Sequence, residues 1–138
     1  MKFRIITVLL AAIGLLVYSC QSEEQIEYMR YYSAGQALYK TKCQNCHGEQ
    51  GQGLAALIPP LTDSVYLKAN HAKLACYIQN GLNVPILVNG KAYNGQMPAT
   101  GLAPMEIAQV LTYVRNSFGN KLGLHNVKQV ECELKDCD

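Results

Sequence analysis

The stretch KTKCQNCHGEQGQG, Lys40 to Gly53, places two cysteines three positions apart with a histidine directly behind the second. Cys43, Cys46 and His47 are residue types that bind metals or take part in redox chemistry. The pattern is compatible with a metal site, a redox-active dithiol or a covalently attached haem. The rest of the chain has to decide between these three chemistries.

The chain of 138 residues is long enough for one domain, and its first residues form an export signal. A basic head, MKFR, precedes an apolar run that is too short for a confident membrane span, which needs about 20 apolar residues. The exit VYSC resembles a bacterial lipoprotein box. We therefore expect residues 1–19 to be a lipoprotein signal peptide and Cys20 to be the lipidated mature N-terminus.

Two features near this exit leave alternatives open. Tyr18 is bulkier than the residue that lipoproteins usually carry there, so ordinary cleavage or an uncleaved anchor remains an alternative. The following QSEE, residues 21–24, resembles the acidic tag of some surface-exposed Bacteroidetes lipoproteins, but it also fits a solvated tether.

The charge balance argues against nucleic acid as a partner. The chain has 12 Lys and Arg against 10 Asp and Glu, and loss of Lys2 and Arg4 with the signal leaves ten of each sign. Phosphate binding needs a clear cationic surplus, which is absent here. Export also implies an oxidising compartment, in which uncommitted cysteines form disulfides.

Hydrophobic spacing and turn residues divide the mature chain into four helices and a hairpin. Residues 23–32 read as a linker or a fraying helix, and Ser33 is expected to cap the first helix through its hydroxyl. Asn89-Gly90 inside ILVNGKAY predicts a two-stranded ribbon, because both residues accept positive φ. The expected helices cover 34–46, 64–80, 104–118 and 125–138.

The surroundings of the motif favour haem over the other two chemistries. Structural zinc needs four ligands, and the spacing of Cys132 and Cys137 completes no familiar zinc pattern. A thioredoxin-type dithiol follows a strand, and none is expected before the motif. At a helix end, the sulfurs of Cys43 and Cys46 can each add to one vinyl group of a porphyrin, and His47 then lies beneath the iron as an axial ligand.

A haem has a sixth coordination position, for which we favour Met97. It lies in YNGQMPATG, where glycine and proline hold an irregular loop that can direct a thioether inward. Met105 begins a helix and is expected at the surface or in a gap, and Met29 precedes the folded part. We read His71 and His125 as surface or helix-start histidines rather than ligands.

Residues 33–119 resemble a class I, mitochondrial-type monohaem cytochrome c, and with the signal peptide the chain resembles a bacterial lipoprotein form found in Bacteroidetes. The motifs that carry the resemblance, in the family's order, are CQNCHGEQGQG, IPPL, NGQMP and EIAQVLTYVRNSFGN. The resemblance implies an all-α class I cytochrome c fold, with several helices around one covalent haem c. A small hairpin would precede the axial methionine, and a helical extension would follow the domain.

The resemblance also implies roles for single residues. Cys43 and Cys46 form the thioethers, and His47 and Met97 are the axial ligands of the haem iron. A proline carbonyl after the motif accepts a hydrogen bond from the ligand histidine, and either Pro59 or Pro60 occupies the matching stretch. In the family, Gly35 and Tyr39 on the first helix and Val110 and Tyr113 on the last would form the contact between these two helices.

Three cysteines remain after the lipid and the haem. Cys132 and Cys137 would be too far apart on a helix for a disulfide, since five residues separate them by about 140°. Cys76 lies off the apolar stripe of its own helix, on a face that a terminal helix would cover. We expect a disulfide between Cys76 and Cys137, with Cys132 exposed; the alternative is three free thiols.

We expect an electron carrier rather than an enzyme. The expected organisation is a lipidated Cys20 with a linker over 20–32, a cytochrome domain over 33–119, and an extension over 120–138 packed on it. Donor and acceptor would be redox proteins on the periplasmic side of a bacterial membrane, with the outer surface as an alternative location, and the chain would be a monomer. The alternatives are a dedicated electron-transfer subunit of an oxidase, dehydrogenase or nitrogen-oxide reductase, and a zinc-binding protein without haem.

Overall fold

The computed structural model describes residues 4, 6 and 23–137. Cys20 and nearly all of the expected signal peptide lie outside the described residues. The elements in chain order are α1 (Glu23–Lys42), α2 (Gln44–His47), α3 (Ser64–Ala69), α4 (His71–Asn80), β1 (Ile86–Val88), β2 (Lys91–Tyr93), α5 (Pro104–Val114) and α6 (Val127–Glu133), followed by a 3-10 turn at Leu134–Asp136. The prediction of an all-α protein with one small hairpin is confirmed.

No helix in the described part of the chain is both long and apolar enough to cross a membrane.

The first helix begins earlier than the sequence predicted. The expected start at Ser33 is wrong, because α1 already begins at Glu23 and the Ser33 hydroxyl bonds the carbonyl of Arg30 at 3.3 Å within the helix. Residues 23–32 contain no proline or glycine, and Tyr31 is buried at 8% exposure. Tertiary burial therefore extends a helix that lacks a clean apolar period of its own.

The first helix crosses α5 at very short range. A Cβ atom at Gly35 would collide with the backbone of Gln109 and would lie 2.9 Å from the Cβ of Tyr113. Next to the crossing, the ring of Tyr113 packs against Tyr39 with the centroids 5.3 Å apart. The expected contact between first and last helices of the domain is present, and only glycine permits this approach.

The second helical region is two helices rather than the single one expected over 64–80. Asp63 caps α3 by accepting hydrogen bonds from the N–H groups of Val65 and Tyr66 at 3.0 and 3.1 Å. Asn70 then ends the helix with a φ of −105° and a ψ of 16°, and its side-chain N–H donates to the carbonyl of Tyr66 at 3.0 Å beside the ordinary helical bond from its backbone N–H. A side chain that bonds its own backbone competes with helix continuation, which explains the break before α4.

The hairpin prediction is confirmed. Strands β1 and β2 pair antiparallel, with Ile86 opposite Tyr93 and Val88 opposite Lys91. Asn89 and Gly90 form the turn with φ of 50° and 73°, the left-handed region that this tight connection requires.

The helix α5 is shorter than expected. Glu106 accepts the backbone N–H of Ala103 at 2.8 Å, and Pro104 occupies the first turn, where a missing N–H does no harm. Regular structure ends at Val114 rather than at residue 118. A sharp turn follows, in which Phe118 and Gly119 both have positive φ, 57° and 91°.

The C-terminal segment packs against α4 and α5. Helix α6 covers less than the predicted 125–138, because it begins only after Asn126, whose side chain accepts from the N–H of Gln129 at 3.0 Å. Cys76 of α4 and Cys137 are joined by a disulfide that spans 61 positions, while Cys132 is free and exposed. The segment is thus held by a covalent bond at its far end.

His125 is buried, so reading it as a surface histidine was wrong; the helix-start reading holds, because His125 directly precedes Asn126, the N-cap of α6. It is 2% exposed, and its backbone exchanges two hydrogen bonds of 3.1 Å with the hydroxyl of Thr112. Its Nε2 lies 3.0 Å from the Glu133 carboxylate, which also faces the exposed His71 at 3.9 Å. Burial lowers the pKa of His125, against the raising effect of Glu133, and Arg115 and His71 lower it further.

We predict that Cys137→Ser lowers the free energy of unfolding by about 4 kcal/mol, because the disulfide closes a loop of 61 residues in the unfolded chain. Urea unfolding of the haem-loaded protein measures this. The exposed Cys132 provides the matched control, since Cys132→Ser should leave the midpoint unchanged. Equal midpoints for the two variants would contradict the prediction.

We predict that the protein loses stability as the pH falls below about 6.5, where His125 gains a proton in the unfolded chain but resists it in the fold. The contribution of His125 to the free energy of unfolding is fully present above that pH. It declines by at most about 1.4 kcal/mol per pH unit as the pH falls towards the lowered pKa of His125 in the folded protein. Thermal unfolding between pH 7 and pH 5 measures the loss. His125→Gln should flatten the profile, whereas His71→Gln should not, because the His71 side chain is 60% exposed.

Candidate functional site

The Cys-x-x-Cys-His stretch lies where the first helix ends. Cys43 breaks the helix after Lys42, and its carbonyl accepts the N–H groups of Cys46 and His47 at 3.1 and 2.9 Å. The short α2 then stops at Gly48, whose φ of 82° turns the chain away. This tight turn presents both thiols and the imidazole on one short segment.

A hydrogen bond orients the imidazole of His47. Its Nδ1 donates to the carbonyl of Pro59 at 3.2 Å, because a carbonyl oxygen can only accept. Pro59, rather than Pro60, therefore bonds the ring, which resolves the choice that the sequence left open. The proton on Nδ1 leaves the lone pair on Nε2 for a metal ion. Burial lowers the pKa of His47, and the bond to Pro59 opposes that shift.

The loop between the motif and Pro59 folds back on itself. Gly53 donates its N–H to the carbonyl of His47 at 2.8 Å, and Leu54 forms a bridge with Ile58. A Cβ at Gly53 would collide with the carbonyl of Ile58. This compact turn brings the Pro59 carbonyl back to the ring of His47.

The segment carrying Met97 is fixed by an isolated bridge and two glycines. The backbone of Met97 exchanges hydrogen bonds of 2.8 and 2.9 Å with Leu82. A Cβ at Gly81 would strike the carbonyl of Met97, and one at Gly95 would strike the carbonyl of Leu57. Close backbone approach therefore sets the position of the methionine.

All four predicted haem residues, Cys43, Cys46, His47 and Met97, line one cavity of about 340 Å³. Both candidate prolines line it as well. Much of its wall is apolar and comes from α3, α4 and α5; these wall residues are Leu67, Leu74, Tyr77, Ile78, Val110 and Leu111. A mainly apolar cavity with a few convergent polar groups is the usual form of a cofactor site.

The other candidate ligands lie elsewhere. Met105 is 43% exposed and Met29 is 54% exposed, and neither lines the cavity. His71 and His125 face Glu133 on the C-terminal segment instead. Among the described residues, no group of three or more His, Cys, Asp or Glu side chains is arranged to hold a metal ion.

The sequence reasoning missed two tyrosines of the cavity. Tyr66 of α3 and Tyr77 of α4 both line it. Burial raises the pKa of Tyr66 to about 12, and Tyr77 adds to the shift. Their spacing of eleven residues, three helical turns, was a usable signal, but the break at Asn70 makes their pairing a tertiary effect.

The surroundings of Cys43 disfavour the thiolate form of its side chain. Burial raises the pKa of Cys43 to about 11, with the neighbouring Cys46 contributing. Cys43 is half-buried, whereas Cys46 is exposed and lies at the cavity mouth with Leu57, which is 62% exposed. The cavity therefore reaches the surface beside the motif.

The comparisons with known proteins agree with this geometry. The family model described as cytochrome c matches residues 32–118. The chain belongs to the cytochrome c family. It is 30% identical over 97 residues to a cytochrome c-552 of Thermus thermophilus, an alignment that covers 67% of this chain and 74% of that relative. A second cytochrome c-552, from a particular strain of the same species, is also 30% identical, with 66% of its length covered.

Family membership establishes haem c as the covalently bound cofactor, and the predicted class I cytochrome c fold is confirmed. The described residues fit such a haem. Two thiols, an imidazole whose Nδ1 is occupied by Pro59 and a thioether all converge on one mainly apolar cavity. The haem electron carriers of this family use the same kinds of ligand.

Proposed function

We propose that this cytochrome is an exported, lipid-anchored carrier of single electrons between redox proteins, with one haem c as its electron-carrying group. The observation that carries the proposal is the single cavity lined by Cys43, Cys46, His47 and Met97. Family membership supports the coarser statement, a haem electron carrier.

Each residue of the proposed site has a separate task. The sulfurs of Cys43 and Cys46 would form the thioethers, so the cofactor cannot dissociate. His47, through its Nε2, and Met97, through its thioether, would hold the iron. Pro59 holds the imidazole in one tautomer and orientation, which keeps its donor strength constant.

These ligands favour electron transfer over catalysis. The haem supplies a one-electron couple, and histidine with methionine raises its reduction potential. Two protein ligands would leave no open coordination site for a substrate. The mainly apolar wall would keep water away from most of the bound haem, while the exposed Cys46 and Leu57 place one edge of the cavity at the surface. An electron can thus leave without any substrate entering.

Export and anchoring rest on the N-terminal sequence. The basic head, the apolar run and the VYSC exit support a signal peptide over residues 1–19 and lipidation at Cys20. The disulfide between Cys76 and Cys137 fits an oxidising compartment outside the cytoplasm. We propose the periplasmic side of a bacterial membrane as the location, with the monomeric domain tethered by lipid and its partners being redox proteins.

We predict that the protein, produced with the haem maturation machinery, keeps its haem through acid–acetone extraction and shows a sharp α-band when reduced. The double variant Cys43→Ala/Cys46→Ala should lose all of its haem to the solvent, because no thioether then holds it. Cys132→Ala is the control, since this exposed thiol lies outside the cavity. Extractable haem in the wild type would overturn the assignment.

We predict that Met97→Ala abolishes the weak sulfur-to-iron absorption band in the far red and lets the ferrous protein bind carbon monoxide, because a coordination position opens. The reduction potential should fall, since methionine ligation raises it. Met105→Ala removes the same side chain from a position that is 43% exposed, and it should change neither property. If Met105→Ala alone abolished the band, Met105 would be the ligand.

A further inference from the structure

Asn120 occupies an unusual position just beyond α5. It is 2% exposed, although it follows a loop turn rather than a regular element. Phe118 and Gly119 before it both have positive φ, and the N–H of Asn120 donates to the carbonyl of Ser117 at 2.9 Å. A bulky residue with φ of 57° is strained, and such strain persists only where the surroundings hold it in place.

The side chain of Asn120 joins two distant parts of the backbone. Its Nδ2 donates to the carbonyl of Leu61 at 2.7 Å and to that of Val114 at 3.0 Å. Both acceptors are carbonyls, so the amide nitrogen must face them. Leu61 lies 59 positions away in the chain, at the end of the loop that carries Pro59. Asn120 therefore ties this loop to the end of α5.

The ring of Phe118 holds the same loop at a second point. A Cβ at Gly51 would lie only 2.6 Å from the Phe118 ring, so the loop backbone packs directly on it. Gly51 in turn accepts the N–H of Leu61 at 2.7 Å. The strained turn thus places one aromatic ring and one amide against the two ends of one hydrogen-bonded loop.

Pro59 lies between these two attachments. Its carbonyl, two residues before Leu61, accepts the proton of His47 Nδ1. A shift of Leu61 moves Pro59 with it, because the two are separated only by Pro60, whose ring restricts φ. The position of the carbonyl that orients the imidazole consequently depends on the bond from Asn120.

We propose that Asn120 is a positioning residue for His47: through the Leu61 carbonyl it holds the Pro59 carbonyl against Nδ1 and so fixes the ring that ligates the haem iron. The inference rests on the proposed role of His47 as an axial ligand. Asn120 does not touch the ligand itself, and it acts through the loop of residues 51–61.

Asn116 supplies a matched comparison four residues earlier. Its Nδ2 also donates to two backbone carbonyls, those of Thr112 at 2.7 Å and Gly123 at 2.9 Å. Neither acceptor belongs to the loop of residues 51–61. Removing either amide deprives two carbonyls of a donor, and Asn116→Ala also removes the acceptor of the Gly123 N–H at 2.8 Å, but only Asn120 connects to Pro59.

The test is NMR hydrogen exchange of the His47 Nδ1 proton in the haem-loaded protein. In Asn120→Ala this proton should exchange about tenfold faster than in the wild type, the effect of losing hydrogen bonds to buried acceptors. The amide of Ile107, which is 0% exposed on α5, reports global opening and serves as the internal reference. Asn116→Ala should leave the exchange of the His47 proton, relative to Ile107, unchanged.

Equal acceleration in the two alanine variants, or none in Asn120→Ala, overturns the inference. If Asn120→Ala does not fold, the milder Asn120→Ser takes its place in the same comparison. The wild type gives a second test: in mild denaturant, its His47 Nδ1 proton and its Leu61 amide must exchange through one common opening. Independent openings overturn the inference. A wild-type His47 ring without iron-shifted resonances would instead overturn the proposed axial ligation, so the two failures are distinguishable.

Discussion

The close crossing of α1 and α5 at Gly35 is the constraint on which the rest of the structure depends. One backbone rests against the other there, because any side chain at this position would collide with Gln109. The crossing fixes where the C-terminal ends of the two helices lie relative to each other. The end of α1 leads into the Cys-x-x-Cys-His turn, and the end of α5 leads into the turn that carries Phe118 and Asn120.

An aromatic cluster of Tyr39, Tyr113 and Phe118 connects the helix crossing to the candidate haem site. Tyr39 packs against both Tyr113 and Phe118, with centroids 5.3 and 5.2 Å apart, and its hydroxyl donates to the carbonyl of Gly48 at 2.6 Å. Gly48 directly follows His47. Offset and tilted ring pairs at these distances add about 0.5–1.5 kcal/mol each beyond the burial of area. The Cys-x-x-Cys-His turn is thus held in place by the same rings that pack beside the helix crossing.

The C-terminal segment stabilises a different side of the domain. It buries His125 against Thr112 and Glu133, and its disulfide ends on α4, whose other face lines the cavity. Neither the disulfide nor His125 reaches the four predicted haem residues. The electron-transfer chemistry and the attachment of this segment are therefore separate in space, although they share α4 and α5.

Local chemistry could be predicted from the sequence. The spacing of Cys43, Cys46 and His47 predicted a covalent haem, Asn89-Gly90 predicted the hairpin, and the Gly/Pro-bounded loop directed attention to Met97. Each of these signals lies within a few consecutive residues, where backbone preference and ligand spacing act directly. The disulfide between Cys76 and Cys137 was also predicted, although on the assumption of one helix over 125–138, whereas α6 ends at Glu133.

By itself, then, the sequence determined the cofactor and the helical class, and it singled out the residues that we propose attach the haem, because these signals depend on neighbouring residues. Only the tertiary structure decided that Pro59 rather than Pro60 bonds His47, that His125 is buried, that α1 begins at Glu23, and that Asn120 reaches Leu61. The reason is physical: which carbonyl a side chain meets, and whether a helix is buried, depends on segments that pack from elsewhere in the chain, 12 positions away for His47 and Pro59 and 59 for Asn120 and Leu61.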